Sequence, residues 1–94
     1  MSDLLSAEAI RERLAEVPGW VHEDDHHLAA EWRFPDFAAA LAFLNRAAAL
    51  CEQHDHHADF ELAWGRVAAK LWSHDSGGVT ERDVRLATEI ASLT

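Results

Sequence analysis

The sequence predicts an α+β fold, in which helices cover one face of a four-stranded antiparallel sheet as a two-layer sandwich. Three segments have the 3.6-residue apolar period of helices. Between them lie two pairs of segments in which apolar and polar residues alternate, as in strands. The resulting order is αββαββα. Short connections within each strand pair favour antiparallel pairing. Because each helix and the sheet have an apolar side to bury, two packed layers are the simplest arrangement.

The ends of the predicted helices carry capping residues. Ser6 and Asp36 are typical N-caps, and Thr80 with Asp83 three residues later forms a capping box. Pro18-Gly19 ends the first helix, and Gly65 allows a tight bend between two runs of alternating residues. The predicted boundaries are, in chain order, a helix over 6–16, strands over 20–22 and 28–34, a helix from the cap at 36 to about 53, strands over 60–64 and 66–73, and a helix from 80 onward.

The long middle helix has a broad apolar surface made of two adjacent stripes. The first stripe is Phe37, Leu41, Leu44 and Ala48, and the second is Ala40, Phe43, Ala47 and Cys51. So many alanines predict close packing against a sheet or another helix. Cys51 is the only cysteine, which excludes an intrachain disulfide and predicts a buried, unreactive thiol.

Length and charge limit the classes of function. The 94 residues predict a single domain over 1–94, and a core this small makes self-association a reasonable expectation. The net charge of −9 argues against nucleic acid and anionic membranes as partners. The apolar run 37–51 is too short to span a bilayer. The first residues contain neither a basic region nor a cleavage signal, which predicts a cytoplasmic location.

Histidines are concentrated at the ends of two predicted elements. The chain has seven histidines, of which His54, His56 and His57 lie at the end of the long helix, and His74 ends the last strand. Side chains at element ends can converge on one cleft without disturbing the core, as is common for binding and catalytic residues.

Three interpretations of this histidine cluster are compatible with the spacing. The histidines can be solvated polar residues near a helix C-terminus, where a protonated imidazole interacts favourably with the dipole. They can be metal ligands, although the chain has no HExxH pattern and adjacent histidines rarely bind one ion, so we expect no metal. They can be general acids and bases, because imidazole exchanges protons near pH 7. Spacing alone does not choose among the three.

At these positions the chain resembles the pterin-4a-carbinolamine dehydratase family. The family's pattern contains an acidic or similar residue, a histidine pair after three positions, an aromatic residue, a further histidine and an aspartate. The matching residues here are Glu52, His56, His57, Trp64, His74 and Asp83. Segments 61–67 and 72–83 resemble the family's bacterial members, and segments 18–20 and 34–37 match its N-terminal half. One departure is Ala58, where the family usually has proline.

The resemblance implies the αββαββα fold and a lyase, 4a-hydroxytetrahydrobiopterin dehydratase. Such an enzyme removes water from 4a-hydroxytetrahydropterin by histidine acid–base catalysis, without a metal or other cofactor. The product is quinonoid dihydropterin, so the reaction recycles the pterin cofactor of aromatic amino acid hydroxylases. Family members commonly form dimers or tetramers, which implies a homodimer or homotetramer.

The family's residue roles carry over by position. The catalytic roles fall on His56 and His74 as the acid–base pair beside the leaving hydroxyl, on His57 as an orienting group, and on Asp83, which would orient His74 or hold its charged form. The substrate-binding roles fall on His57, Trp64, Glu52 and Asp55. The carboxylates of Glu52 and Asp55 would also favour the charged forms of nearby histidines.

Several of these residues have a structural explanation as well. Helix capping accounts for Asp83 about as well as catalysis does, and alternation with Phe60 and Leu62 predicts core packing for Trp64. Trp72 is given no role. The histidines that flank the predicted turn at 23–25 are interpreted as solvated polar residues, namely His22, His26 and His27.

A second function class uses the same scaffold without catalysis. Some relatives of the family act as transcriptional coactivators, and others resemble assembly chaperones, so the fold does not determine the activity. An acidic surface would suit a basic protein partner. The presence of His56, His57, His74 and Asp83 together favours the enzyme, because an interaction protein does not need all four.

Overall fold

A computed structural model describes residues 3–94 as three helices and four strands in the predicted αββαββα order. The elements are α1 (Ala7–Leu14), β1 (Trp20–Glu23), β2 (His27–Arg33), α2 (Phe37–His54), β3 (Asp59–Ala63), β4 (Arg66–Leu71) and α3 (Glu81–Ala91). The predicted N-cap residues all precede their helices. The Oγ of Ser6 accepts from the Ala9 amide, and Oδ1 of Asp36 accepts from the Ala39 amide at 2.8 Å.

The strands form one antiparallel sheet in the order β1-β2-β4-β3, which confirms the predicted architecture. Leu28 of β2 lies opposite Leu71 of β4, and Ala30 lies opposite Ala69. All four side chains are buried, so the register places the apolar residues of both central strands on one face. α2 packs against β3, β4 and α3, and α1 packs against β1 and α3.

The long helix buries only one of its two apolar stripes. The stripe Ala40, Phe43, Ala47 and Cys51 is buried, whereas Phe37 and Leu41 of the other stripe are 44% and 38% exposed. The phenyl ring of Phe43 packs against Trp32 and Phe34 with centroid distances of 4.7 and 5.3 Å. Small alanines on either side of Phe43 therefore let the helix approach the sheet closely.

The β3–β4 hairpin turns at a position that only glycine fits. A Cβ atom at Gly65 would lie 2.7 Å from the carbonyl oxygen of Phe34, and the Phe34 amide donates to the Gly65 carbonyl at 2.8 Å. Ala63 pairs with Arg66 across a two-residue turn, so β3 ends at Ala63, one residue earlier than the alternation predicts.

The predicted single domain spans residues 1–94, of which residues 1 and 2 lie outside the described part of the chain, and this boundary stays a prediction. Within residues 3–94, no helix has the length and apolar character needed to cross a membrane.

Candidate active site

The C-terminal end of α2 turns two histidines away from the helix axis. Asp55 follows the helix in the left-handed conformation, with φ of 50° and ψ of 42°, and its amide donates to the carbonyls of the last turn. His56 and His57 come directly after this cap, in the irregular segment before β3. The position of both imidazoles is therefore set by the way the helix ends.

The end of β4 brings a third histidine to the same region. Ser73 forms an isolated bridge with Gly78, and between them the chain makes a tight turn in which Gly77 has φ of 75°. His74 starts this turn, and the capped first turn of α3 follows it. The sheet end and the helix start thus lie beside the end of α2.

The three histidines line one open cavity of about 300 Å³. This volume is at the lower end of the range found for small-molecule sites. The lining residues are Asp55, His56, His57, Trp72, His74 and Asp75. Imidazoles from two distant parts of the sequence therefore face one space, as convergence at the element ends predicts.

His56 and Asp83 form a buried pair. The Nε2 of His56 lies 2.5 Å from Oδ1 of Asp83; the His56 side chain is 11% exposed and Asp83 is fully buried. A carboxylate at Nε2 requires the proton on that nitrogen, which leaves Nδ1 as the acceptor in the neutral ring. The sequence interpretation expected Asp83 to orient His74; in the structure it orients His56 instead.

The second oxygen of Asp83 caps helix α3. Oδ2 accepts from the Thr80 amide and from the Ser73 hydroxyl, each at 2.8 Å. Ser73 Oγ also lies 2.7 Å from the Thr80 hydroxyl. The capping interpretation of Asp83 is thus confirmed by Oδ2, while Oδ1 contacts His56.

His57 lies at the solvent edge of the cavity, where its Nε2 contacts the Glu52 carboxylate. Both side chains are exposed, so this contact orients the ring more than it stabilises the fold. Asp75 also lines the cavity, where Arg82 donates to it at 2.6 Å and lowers the pKa of its carboxyl. Asp75 is therefore an ionised group at the rim.

Trp64 does not line this cavity. It sits in the β3–β4 turn, at the far end of the hairpin from Asp59, and it is 68% exposed. The expectation that it packs in the core is wrong, because β3 ends before it and the alternation stops there. Two carboxylates were also predicted to bind substrate. Glu52 contacts His57, and Asp55 lines the cavity.

Trp72 lines the cavity, although the sequence suggested no role for it. Its ring stacks on the His74 imidazole with a centroid distance of 4.3 Å and an interplanar angle of 15°. The sequence offers one signal for this contact. Trp72 comes two positions before His74 at the end of a predicted strand, and residues i and i+2 of a strand share a face.

The two histidines at the β1–β2 turn are not simply solvated. His27 is 6% exposed, and its Nε2 lies 3.2 Å from a Glu23 carboxylate oxygen. Its Nδ1 lies 3.3 Å from Nδ1 of His26, which is exposed. The solvated interpretation is therefore wrong for His27, because its ring is buried in contact with Glu23, His26 and Trp72. Glu23, Asp24 and His27 also have ligand atoms within 4.8 Å of one another.

A larger cavity of about 690 Å³ lies against the sheet surface that the helices leave open. Among its charged groups, Arg66 donates to Glu31 at 2.5 Å and to Glu61 at 3.3 Å. No histidine or cysteine lines it. The larger cavity therefore lacks a group that exchanges protons near neutral pH.

Cys51 is buried in α2, and burial raises the pKa of its thiol. A buried thiol with a raised pKa is a poor nucleophile. The prediction of an unreactive cysteine therefore agrees with its surroundings.

Comparison with known proteins identifies close relatives over nearly the whole chain. Residues 3–93 match the family model described as pterin 4 alpha carbinolamine dehydratase. A protein from Prochlorococcus marinus is 39% identical over 96% of this chain and 93% of its own length. One from Afipia carboxidovorans is 42% identical over 99% and 94%. Both carry the provisional name pterin-4-alpha-carbinolamine dehydratase.

Two solved structures share the fold. One is described as a transcriptional coactivator/pterin dehydratase from Brucella melitensis, with a TM-score of 0.88 and 30% identity over 95% of this chain and 96% of that chain. The other is described as a pterin dehydratase-like protein that is a RuBisCO assembly factor in the alpha-carboxysome. It has a TM-score of 0.61 and 25% identity over 71% of this chain and 77% of that chain.

Proposed function

The chain belongs to the pterin 4 alpha carbinolamine dehydratase family, and from this we propose that it dehydrates 4a-hydroxytetrahydropterin to quinonoid dihydropterin. The reaction breaks the C4a–O bond, releases the oxygen as water and removes a proton from N5. Two proton transfers are needed, one to the oxygen and one from the nitrogen. In this proposal, histidines carry both.

One observation carries the proposal: a histidine held by a buried carboxylate shares a cavity with two further histidines. Structural capping by Asp83 needs only Oδ2, so capping leaves the contact of Oδ1 with His56 unexplained. A carboxylate that fixes one nitrogen of an imidazole and leaves the other free is the arrangement that general bases use.

His56 is the proposed base. With Nε2–H donated to Asp83, the free Nδ1 can accept the N5 proton, and the resulting imidazolium is stabilised by the buried carboxylate. Within residues 3–94, Nδ1 has no other hydrogen-bond partner, so it is available to a ligand.

His74 is the proposed acid. Hydroxide is a poor leaving group at neutral pH, and a protonated imidazole beside the oxygen lets it depart as water. His74 is exposed at the cavity, so solvent can reprotonate it after each turnover. His57, with Glu52 behind it and Asp55 nearby, would orient the polar edge of the pterin. Trp64 lies outside this cavity, so the contacts of a single chain do not support a substrate-binding role for it.

Replacing the proposed acid or base tests this assignment. We expect His56→Ala and His74→Ala each to lose about 10²–10⁴-fold in the dehydration rate, because each removes one proton-transfer group. The measurement is stopped-flow loss of the carbinolamine absorbance, with circular dichroism to show that the fold survives.

His22→Ala is the matched control, since His22 lies on β1 and outside the cavity. Its rate should equal that of the wild type. Wild-type rates in both the His56 and His74 variants would rule out the proposed chemistry, and a wild-type chain without activity would rule out the function.

A non-catalytic role as an interaction protein is the second candidate. It is favoured by the exposed apolar side chains Phe37 and Leu41 on α2, and by the descriptions of the two structural relatives as a coactivator and an assembly factor. The predicted homodimer or homotetramer would also need an exposed surface. Sedimentation of the wild type and of a Phe37→Glu/Leu41→Glu variant tests self-association through this surface, which the variant should weaken. A fully monomeric wild type would rule out the predicted homo-oligomer.

A further inference from the structure

The two histidines proposed as base and acid are held in different ways. His56 is oriented by a hydrogen bond to Asp83. Within residues 3–94, the His74 imidazole has no hydrogen-bond partner, and its described ring contact is the stack on Trp72. An exposed side chain without such a partner samples several rotamers, so another contact must hold it in a productive position.

Trp72 is itself supported by the β1–β2 turn. Its ring lies 5.1 Å from the His26 ring and 5.9 Å from the His27 ring, measured between centroids and with tilted planes. His27 is buried and bonded to Glu23, so one side of this support is fixed in the hairpin. A continuous series of contacts therefore runs from the hairpin through Trp72 to His74.

We propose that Trp72 is a positioning residue for the dehydration, which holds the His74 imidazole against the cavity by parallel stacking. This role rests on the proposed function of His74. Trp72 acts through His74 because its ring is occupied by three imidazoles, which leaves it poorly placed to stack on a pterin. Loss of the stack should then affect the chemical step more than substrate binding.

The test separates stacking from the filling of space. Trp72→Leu keeps an apolar side chain without a ring, whereas Trp72→Phe keeps a ring that can stack. We expect Trp72→Leu to lower kcat about 10-fold with KM changed by less than about twofold, and Trp72→Phe to restore most of kcat. Equal kcat in Trp72→Leu and Trp72→Phe, or wild-type kcat in both, would overturn the role.

A second measurement does not depend on activity. The ring protons of His74, assigned by NMR with a His74→Ala variant, should be shifted by the tryptophan ring current in the wild type. They should move to the position of a free imidazole in Trp72→Leu. Unmoved resonances would show that the stack is absent in solution and would overturn the proposal. A wild-type chain with the ring-current shift but no dehydratase activity would instead overturn the proposed function, and the positioning role with it.

Discussion

The buried carboxylate of Asp83 makes two distinct sets of contacts, one with each oxygen. Oδ2 completes the cap of α3 through the Thr80 amide, and Oδ1 fixes the tautomer of His56. Burial makes both contacts worth more than they would be at the surface, because water does not compete for the carboxylate. The two sets of contacts can be separated by substitutions that affect one oxygen at a time.

Asp83→Asn should affect activity more than folding. An asparagine Oδ1 can still accept from Thr80, but its NH₂ group would donate to Nε2 of His56 and force the proton onto Nδ1. His56 then has no free acceptor for the substrate proton. We expect the dehydration rate to fall by about 10² or more, while thermal unfolding monitored by circular dichroism remains cooperative.

Ser73→Ala is the matched control for Asp83→Asn. It removes one hydrogen bond to Oδ2 and leaves the contact between Oδ1 and His56 intact. The free energy of unfolding should fall by about 1–3 kcal/mol, with activity largely retained. If both variants lost activity equally, tautomer control by Asp83 would be excluded.

The sequence predicted which residues line the site better than it predicted their contacts. His56, His57 and His74 lie at element ends, and capping and strand rules locate such ends well. Hydrogen-bond partners depend on side-chain rotamers and on how α3 docks, which no local pattern encodes. The sequence therefore pairs Asp83 with the wrong histidine and gives no sign that Trp72 stacks on His74.

At the scale of elements, the β3–β4 hairpin depends on one close backbone approach. We expect Gly65→Ala to lower the free energy of unfolding by about 1–3 kcal/mol, because its Cβ would lie 2.7 Å from a backbone carbonyl that cannot move freely. Urea denaturation followed by tryptophan fluorescence measures this loss.

Gly77→Asn provides the comparison. A Cβ at Gly77 meets no atom within 4 Å, and asparagine tolerates its left-handed φ of 75°. The stability of this variant should stay close to that of the wild type. A Gly65→Ala variant as stable as Gly77→Asn would mean that the hairpin can shift to admit a side chain.

The orientation of α2 shows what periodicity leaves undetermined at this scale. Two neighbouring apolar stripes have the same helical period, so the sequence cannot say which one faces the sheet. Packing decides in favour of the stripe with Phe43, because alanines around it bring the helix close to β4. The stripe with Phe37 and Leu41 is left partly exposed.

Over the whole molecule, an ion pair joins the first and last helices. Arg13 of α1 donates to both oxygens of Glu81 in α3, with 2.7 Å between Nη2 and Oε2, and this lowers the pKa of Glu81 below its ordinary value of 4.5. The unfolded chain therefore binds more protons than the folded chain in the interval below pH 4.5. The stabilisation is complete above that pH and is lost as the pH falls through the lowered pKa.

Glu81→Gln should therefore destabilise the protein at pH 7 and not in acid. Because both side chains are nearly half exposed, solvent screening limits the loss to at most about 1 kcal/mol. Urea denaturation at pH 7 and at low pH measures it. Glu12→Gln removes the same charge from a residue without an ion pair in residues 3–94 and should not show this loss. An equal loss for both variants at pH 7 would assign the effect to net charge.

The order of elements and their layering follow from the sequence because each depends on periodicity and short connections. Ion pairs between distant helices do not, since they depend on how the layers dock.

Because Asp83 both caps α3 and orients His56, the stability of this helix and the orientation of the His56 imidazole are coupled. Fraying of the first turn of α3 would also break the contact between Asp83 and His56, so a brief local opening far short of unfolding would free the proposed base from its carboxylate. A substitution at position 83 must therefore satisfy two requirements at once, the cap of α3 and the hydrogen bond to the His56 imidazole.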